Sequence, residues 1–344
     1  MRTRWATLTV ASGLVLAGCG SADDGTTASA PSTAADQVRT VEHAMGTAEV
    51  TGTPERVVVL DTGELDAVLA LGVTPVGAVR TGVSDELPAY IEDAGVDPAA
   101  IANVGTIAEP ALEQVAALEP DLILSNAVRH ADIHDQLSAI APTVFAEAIG
   151  ETWEDNLRLA GEALNRSDEA EELLAAYEER AAEVGALYGD PAATEVSMVR
   201  FLDGSAVRLY GEGSFIGDVL GDVGFARPQL QRTAETFVEV SPEQIGQADG
   251  DLVLYAAYGG EGQAAAGEIT SGGLWQGLSA VQQGRAFEVG DDRWFLAIGP
   301  LGAGLVLDDL ERFAHQLESL SPVSRRAADP GGRRRPPRWR AASA

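Results

Sequence analysis

Residues 55–80 read ERVVVLDTGELDAVLALGVTPVGAVR. Val57 to Leu60 form a continuous apolar run, the pattern of a short strand buried on both faces. Leu65, Val68, Leu69 and Leu71 then recur at helical spacing, and Gly72 supplies the stop. Val73 to Ala78 read as the next buried strand. Strand, helix and strand in so short a stretch predict a βαβ unit, in which the two strands lie parallel.

The same grammar repeats outward. In EPALEQVAALEPDLILSNAVRH (109–130), Leu112, Val115, Ala116 and Leu118 mark a helix face, and Leu122 to Leu124 a buried strand. The stretch ADIHDQLSAIAPTVFAEA (131–148) adds a helix and a strand at Val144 and Phe145. An α/β lobe with a mostly parallel sheet is therefore expected over 46–150. A second is expected over 191–320. There EVSMVRF, AVRLYG and DLVLYAA are strand-like, and GAGLVLDDLERFAHQLESL is a final amphipathic helix. Between the lobes, 151–190 is helical. In SDEAEELLAAYEERAAEVGALYGD (167–190), Leu173, Leu174, Tyr177, Ala181 and Val184 keep helical spacing. A helix over about 168–187 would be ~30 Å long at 1.5 Å per residue, a stiff strut between the halves.

The flanking segments differ in kind. MRTRWATLTVASGLVLAGCG carries two early arginines, an apolar run too short for a comfortable membrane span, and small residues before Cys19. This predicts a secretory signal over 1–18 and a lipid attachment site at Cys19, the single cysteine of the chain. A lone thiol offers neither an internal disulfide nor a cysteine-rich metal site. The polar, small-residue stretch that follows reads as a flexible tether over 19–45. Seven arginines crowd into 321–344, read as a basic disordered tail, either an extension without a role or an arm for polyanions.

The formal net charge is -30, and all 23 basic residues are arginine. Because the tail is basic, the body is more acidic still, which disfavours nucleic acid as a partner. The wealth of Ala, Gly and Arg points to a high-GC genome. Hydrolytic chemistry has little support: Glu212 stands where a G-x-S-x-G elbow around Ser214 needs glycine. No P-loop or dinucleotide fingerprint follows a strand. His130 and His134 lie four apart, a weak metal signal without a third ligand.

Five stretches in order carry a family resemblance: VEHAMGTAEVTGTPERVVVLD, LDAVLALGVTPVGA, LEQVAALEPDLIL, VSPEQIGQADGDLVL and LSAVQQGRAFEV. With the Leu-Ala-Gly-Cys lipobox, they resemble the substrate-binding lipoproteins of ABC importers for ferric siderophores and cobalamin, the class III periplasmic binding proteins. The likeness spans about 40–320. It implies two α/β lobes joined by one long rigid helix, with the ligand in the cleft between them. It further implies a non-enzymatic monomer without a resident cofactor, tethered to the outer face of the cell membrane of a Gram-positive bacterium and serving a permease dimer. Relatives dock on the permease through one acidic residue on each lobe. By motif position these are Glu113 and Glu243, each also at a helix start where a carboxylate is favoured anyway.

Ligands of α/β lobes sit outside the carboxyl ends of strands. That rule selects Asp61 and Thr62, Arg80, and Asn126 to Arg129 in the first lobe. In the second it selects Arg200, Tyr210, Tyr255 with Tyr258, and Arg293 with Trp294; Phe237 reads equally as core. Arginine forks suit the oxygens of a siderophore shell, and aromatic rings suit its organic body. The chain's acidity favours a neutral or cationic complex such as a hydroxamate, whereas the strand-end arginines argue for an anionic one. Two alternatives stand: a cobalamin or haem binder, with Tyr210, Tyr255 or His130 as axial ligand, and a lipid-anchored metal-dependent enzyme using His130 and His134.

Overall fold

The computed structural model describes residues 37–202 and 206–320. The predicted signal, Cys19, most of the tether and the arginine-rich tail lie outside these residues. Twelve strands form a hairpin and two five-stranded sheets. The hairpin is β1 (Val38–His43) and β2 (Gly46–Thr51). It packs on the first lobe through Val41, Ala48 and Val50, while Arg39 donates to the carbonyls of Gly52, Glu162 and Ala163. The expected tether over 19–45 is thus too long at its far end, because the chain already pairs as a strand from Val38, with Val41 buried.

The first lobe's sheet contains β3 (Val57–Val59), β4 (Gly77–Arg80), β5 (Ala102–Thr106), β6 (Leu122–Asn126) and β7 (Thr143–Ala146). Its order is β5-β4-β3-β6-β7 and every pairing is parallel. The second lobe's sheet contains β8 (Val196–Phe201), β9 (Val207–Tyr210), β10 (Phe237–Val240), β11 (Leu252–Ala257) and β12 (Ala286–Glu288). Its order, β10-β9-β8-β11-β12, is the same when counted from the lobe's first strand. The difference lies in direction: β9 runs antiparallel to β8 and to β10. The short link between β8 and β9 leaves no room for the crossover that a parallel pair needs.

Among the described residues, three helices bind the lobes together. The 21-residue helix Ser167–Leu187 buries Ala170, Leu174, Tyr177, Ala181, Val184 and Gly185, a stripe at spacings of three and four. A Cβ at Gly185 would lie 2.4 Å from the Val223 carbonyl oxygen, so only glycine lets the strut press on the second lobe. The helix Trp153–Leu164 precedes it. The Trp153 ring meets Tyr177 and Phe215 edge-on, and its Nε1 donates to Asp218 at 2.9 Å. The C-terminal helix Pro300–Leu320 returns across the strut to the first lobe. There Asp66, fully buried on the helix Thr62–Ala70, accepts the backbone N–H groups of Leu301 (2.9 Å) and Gly302 (3.0 Å). The molecule is therefore two α/β lobes joined by a long helix and latched a second time at Asp66.

Candidate functional site

The strand order reverses between β3 and β6 in one lobe and between β8 and β11 in the other. Crevices form outside the carboxyl ends of strands at such points. Two cavities of about 370 and 520 Å³ open there, between the lobes. Both volumes fall in the usual range of small-molecule sites. Arg129, Arg200 and Arg208 line both cavities, as do Phe295 and Ile298. Asp61, Thr62, Thr81 and Tyr258 complete one wall, and Tyr210, Phe215 and Phe237 another.

Each arginine is held by one carboxylate. Arg200, in β8, grips Asp291 with two parallel bonds, Nε to Oδ1 at 2.6 Å and Nη2 to Oδ2 at 2.7 Å. Its Nη1 donates to the Tyr210 hydroxyl at 3.2 Å. Its guanidinium lies 4.7 Å from the centre of the Tyr258 ring and 4.5 Å from that of Phe295. Burial works against the charge, but Asp291 and Tyr210 outweigh it, and the pKa is raised above the ordinary arginine value. Arg208 donates through Nε to Glu239 at 3.0 Å and rests over Phe237, 4.0 Å from the ring centre. Arg129 donates through Nε to Asp61 at 3.1 Å. For Arg208 and Arg129, no hydrogen bond among the described residues occupies the terminal nitrogens. Their planar forks suit carboxylate or other paired anionic oxygens.

The support under Arg129 follows from local sequence. Asp61 caps the helix Thr62–Ala70, accepting the Thr62 N–H at 2.6 Å. Asn126 ends β6, fully buried, and caps the helical turn Ala127–His130 by accepting the Arg129 N–H at 3.0 Å. Its Nδ2 donates to both Asp61 and Glu64, at 3.2 Å each. Burial, then the neighbouring Asp61 charge, pushes the Glu64 carboxyl up to about 8.

Of the residues selected from sequence, the structure brings Asp61, Thr62, Val128, Arg129, Arg200, Tyr210, Phe237, Tyr258 and Trp294 to the cavity walls, the last with no exposed surface. Trp294 Nε1 donates to Asp309 at 2.9 Å, and its neighbour Phe295 is the ring that meets Arg200 and Tyr210. Arg80 points elsewhere. Its guanidinium donates to the carbonyls of Ala78, Asp85 and Ile101, and Thr81 takes the place at the wall. Tyr255 also points elsewhere. In the β8–β11 register Ala256 lies beside Arg200, so Tyr255 falls on the opposite face against Phe201 and Trp275. Asn126 stands beneath the wall, and Arg293 lines neither cavity.

The histidine readings are corrected by geometry. His130 uses both ring nitrogens, Nδ1 with the Ser125 hydroxyl and Nε2 with the Ile107 carbonyl, each at 2.7 Å. Burial, ahead of other influences, lowers its pKa. His134 packs instead with His43 and Phe145. The two do not converge, and among the described residues no group of three His, Cys, Asp or Glu side chains is placed to hold a metal ion. Of the expected axial ligands for haem, Tyr255 lies outside the cleft and His130 has both ring nitrogens bonded, while Tyr210 stands at the cavity wall with its hydroxyl bonded to Arg200. Arg208, Asp291 and Glu239 were missed from sequence. The alternation in AVRLYG, which puts Arg208 and Tyr210 on one face, was the available signal for Arg208.

This architecture is that of a bilobal binding protein whose ligand enters between two α/β lobes. The chain matches the periplasmic binding protein family over residues 57–292 and belongs to it. It is 39% identical over 312 residues to the probable siderophore-binding lipoprotein YfiY of Bacillus subtilis, covering 87% of this chain and 94% of that one. It is 32% identical to the Fe(3+)-citrate-binding protein YfmC of the same organism, covering 82% of this chain and 87% of YfmC. Among solved structures, Staphylococcus aureus SirA complexed with staphyloferrin B superposes with a TM-score of 0.72 at 31% identity, covering 80% of this chain and 98% of SirA.

Proposed function

We propose that this chain is the extracytoplasmic substrate-binding lipoprotein of an ABC importer and captures a ferric siderophore with an anionic, carboxylate-bearing shell. The observation that carries the reading is the convergence of Arg129, Arg200 and Arg208 on one interlobe cleft. The iron is cargo, already enclosed by the siderophore's own oxygens, so the protein reads the shell. Its aromatic walls, Tyr210, Phe237, Tyr258 and Phe295, suit the organic body. The relative named for Fe(3+)-citrate supports the same chemistry, and SirA is named for a siderophore complex. Remote surface acidity is screened beyond ~8 Å at physiological salt, and within the cleft the terminal nitrogens of Arg129 and Arg208 face the cavity while their Nε atoms hold Asp61 and Glu239. The cleft thus favours an anionic complex over the hydroxamate type.

No step of bond chemistry is assigned to the protein, which acts as a monomer without a resident cofactor. Cys19 carries the lipid that holds it on the outer face of the membrane. Glu113 and Glu243, both exposed and each at the start of a helical segment on a different lobe, meet the permease dimer. The test is a fluorescence titration against ferric citrate, a citrate-based ferric siderophore, a ferric trihydroxamate, cobalamin and haem. Tight binding of the citrate-type complexes above the others is expected. Preference for the trihydroxamate or cobalamin would overturn the reading.

A further inference from the structure

Glu64 stands in a place where a carboxylate has no evident use. It is buried on the helix behind the cleft wall, and among the described residues the only side chain that hydrogen-bonds it is Asn126. The same Asn126 amino group also serves Asp61, so one neutral donor is shared by two carboxyl groups three residues apart. Among the described residues a single cation, Arg129, faces the pair, and its Nε is committed to Asp61. Asp61 has the Thr62 N–H besides, but the two carboxylates share the Asn126 amino group and the Arg129 charge, so they repel each other, and burial strengthens that repulsion.

The other charged groups around the pair do not relieve it. His130, next to Arg129, is turned to Ser125 and Ile107. Asp66, on the same helix as Glu64, faces the start of the C-terminal helix. Across the cavity, Arg200 is matched by Asp291 and Arg208 by Glu239. A proton on Glu64 is the remaining way to settle the site. With it, Asp61 alone orients Arg129, and the terminal nitrogens stay with the cleft. Without it, a second negative charge lies behind Arg129 and competes with an incoming anion.

We propose that Glu64 is a positioning residue, whose neutral carboxyl lets Asp61 present the Arg129 fork to an anionic ligand and whose ionisation weakens capture. The proposal rests on the reading of the cleft as an anion site. The sign is fixed by linkage: an anion on Arg129 favours the protonated pair, so binding takes up a proton, and affinity falls as pH rises through the Glu64 pKa. The fall approaches about tenfold in Kd per pH unit above that point, as for linkage to one proton. Burial together with Asp61 places it near 8.

Two measurements test this on the Cys19→Ser chain, freed of its lipid anchor. Carbon-detected NMR of the Glu64 carboxyl and nitrogen-detected NMR of Arg129 Nε, from pH 5 to 9.5, need no ligand. A common inflection above pH 7, absent from the Arg129 signal of Glu64→Gln, is expected. A Glu64 carboxyl that ionises below pH 6, or an Arg129 signal indifferent to it, overturns the proposal. The second measurement is the affinity for ferric citrate between pH 6.5 and 9. The parent should weaken at the alkaline end, while Glu64→Gln keeps its neutral-pH affinity. Equal pH profiles in the two proteins also overturn the proposal. If ferric citrate binds neither at any pH, the ligand reading is what fails, and the ligand-free titration still decides the role of Glu64.

Discussion

Replacing Arg208 by Gln removes a cleft charge with little cost to the fold. The Arg208–Glu239 pair is partly exposed, with 29% and 50% of the side chains accessible, so it contributes at most about 1 kcal/mol. Its stacking on Phe237 adds about 0.5–1 kcal/mol. The ligand loses more: charge-assisted hydrogen bonds are worth about 1.5–3 kcal/mol net, or roughly 10- to 150-fold in Kd. Arg200 should behave differently. Its side chain and that of Asp291 are 11% and 12% exposed, and removing the guanidinium strands a buried carboxylate. That costs about 3–5 kcal/mol of stability, and at about 2–4 °C per kcal/mol the melting temperature falls by roughly 6–20 °C. Arg200→Met, Asp291→Asn should recover much of that loss without recovering affinity. Calorimetric titration with a citrate-type ferric siderophore, alongside thermal melts, reads both effects. If Arg208→Gln binds within about twofold of the parent, the arginine cleft does not read an anionic shell.

Asp66→Ala removes the acceptor from two backbone donors at the start of the C-terminal helix and should cost about 2–4 kcal/mol in urea denaturation. Burial raises the Asp66 carboxyl to about 7, so the folded chain keeps a proton that the unfolded chain loses near pH 4. That contribution is complete below about pH 4 and is lost as pH rises through about 7; Asp66→Asn should flatten the profile. Cys19→Ser should move the protein from the membrane fraction to the medium while its ligand affinity stays unchanged. Glu113→Ala with Glu243→Ala should abolish siderophore-dependent iron uptake in cells yet leave binding by the purified protein intact; normal uptake would refute docking through these residues.

The apolar runs and helical stripes announced both lobes and the strut, because burial on both faces leaves a strong local signature. The switch-point rule then found Thr62, Arg129 and Arg200, since each follows or ends a strand next to the reversal. It failed away from the reversal. Arg80 ends β4, one strand further out, where its guanidinium is absorbed by backbone carbonyls. Arg208 escaped because it begins a strand: β9 runs antiparallel, and the register places Arg208 beside Arg200. Strand direction follows from the shortness of the link between β8 and β9, which the hydrophobic pattern does not encode.

Neighbouring side chains exchanged roles for a similar reason. The strand-end rule named Trp294 for the cleft and did not name Phe295. The backbone at Asp292–Leu296 forms a π-helical turn that sends Trp294 inward to Asp309 and leaves Phe295 over Arg200. Composition and periodicity were enough for the class of fold, the lobe count and the presence of arginine at the strand ends, since these follow from local patterns of burial. The pairing of each arginine with its carboxylate, the burial of Glu64 behind Arg129 and the Asp66 latch join residues as far apart as 66 and 302. Such contacts arise only when packing brings distant segments together, and no local pattern in the chain records them.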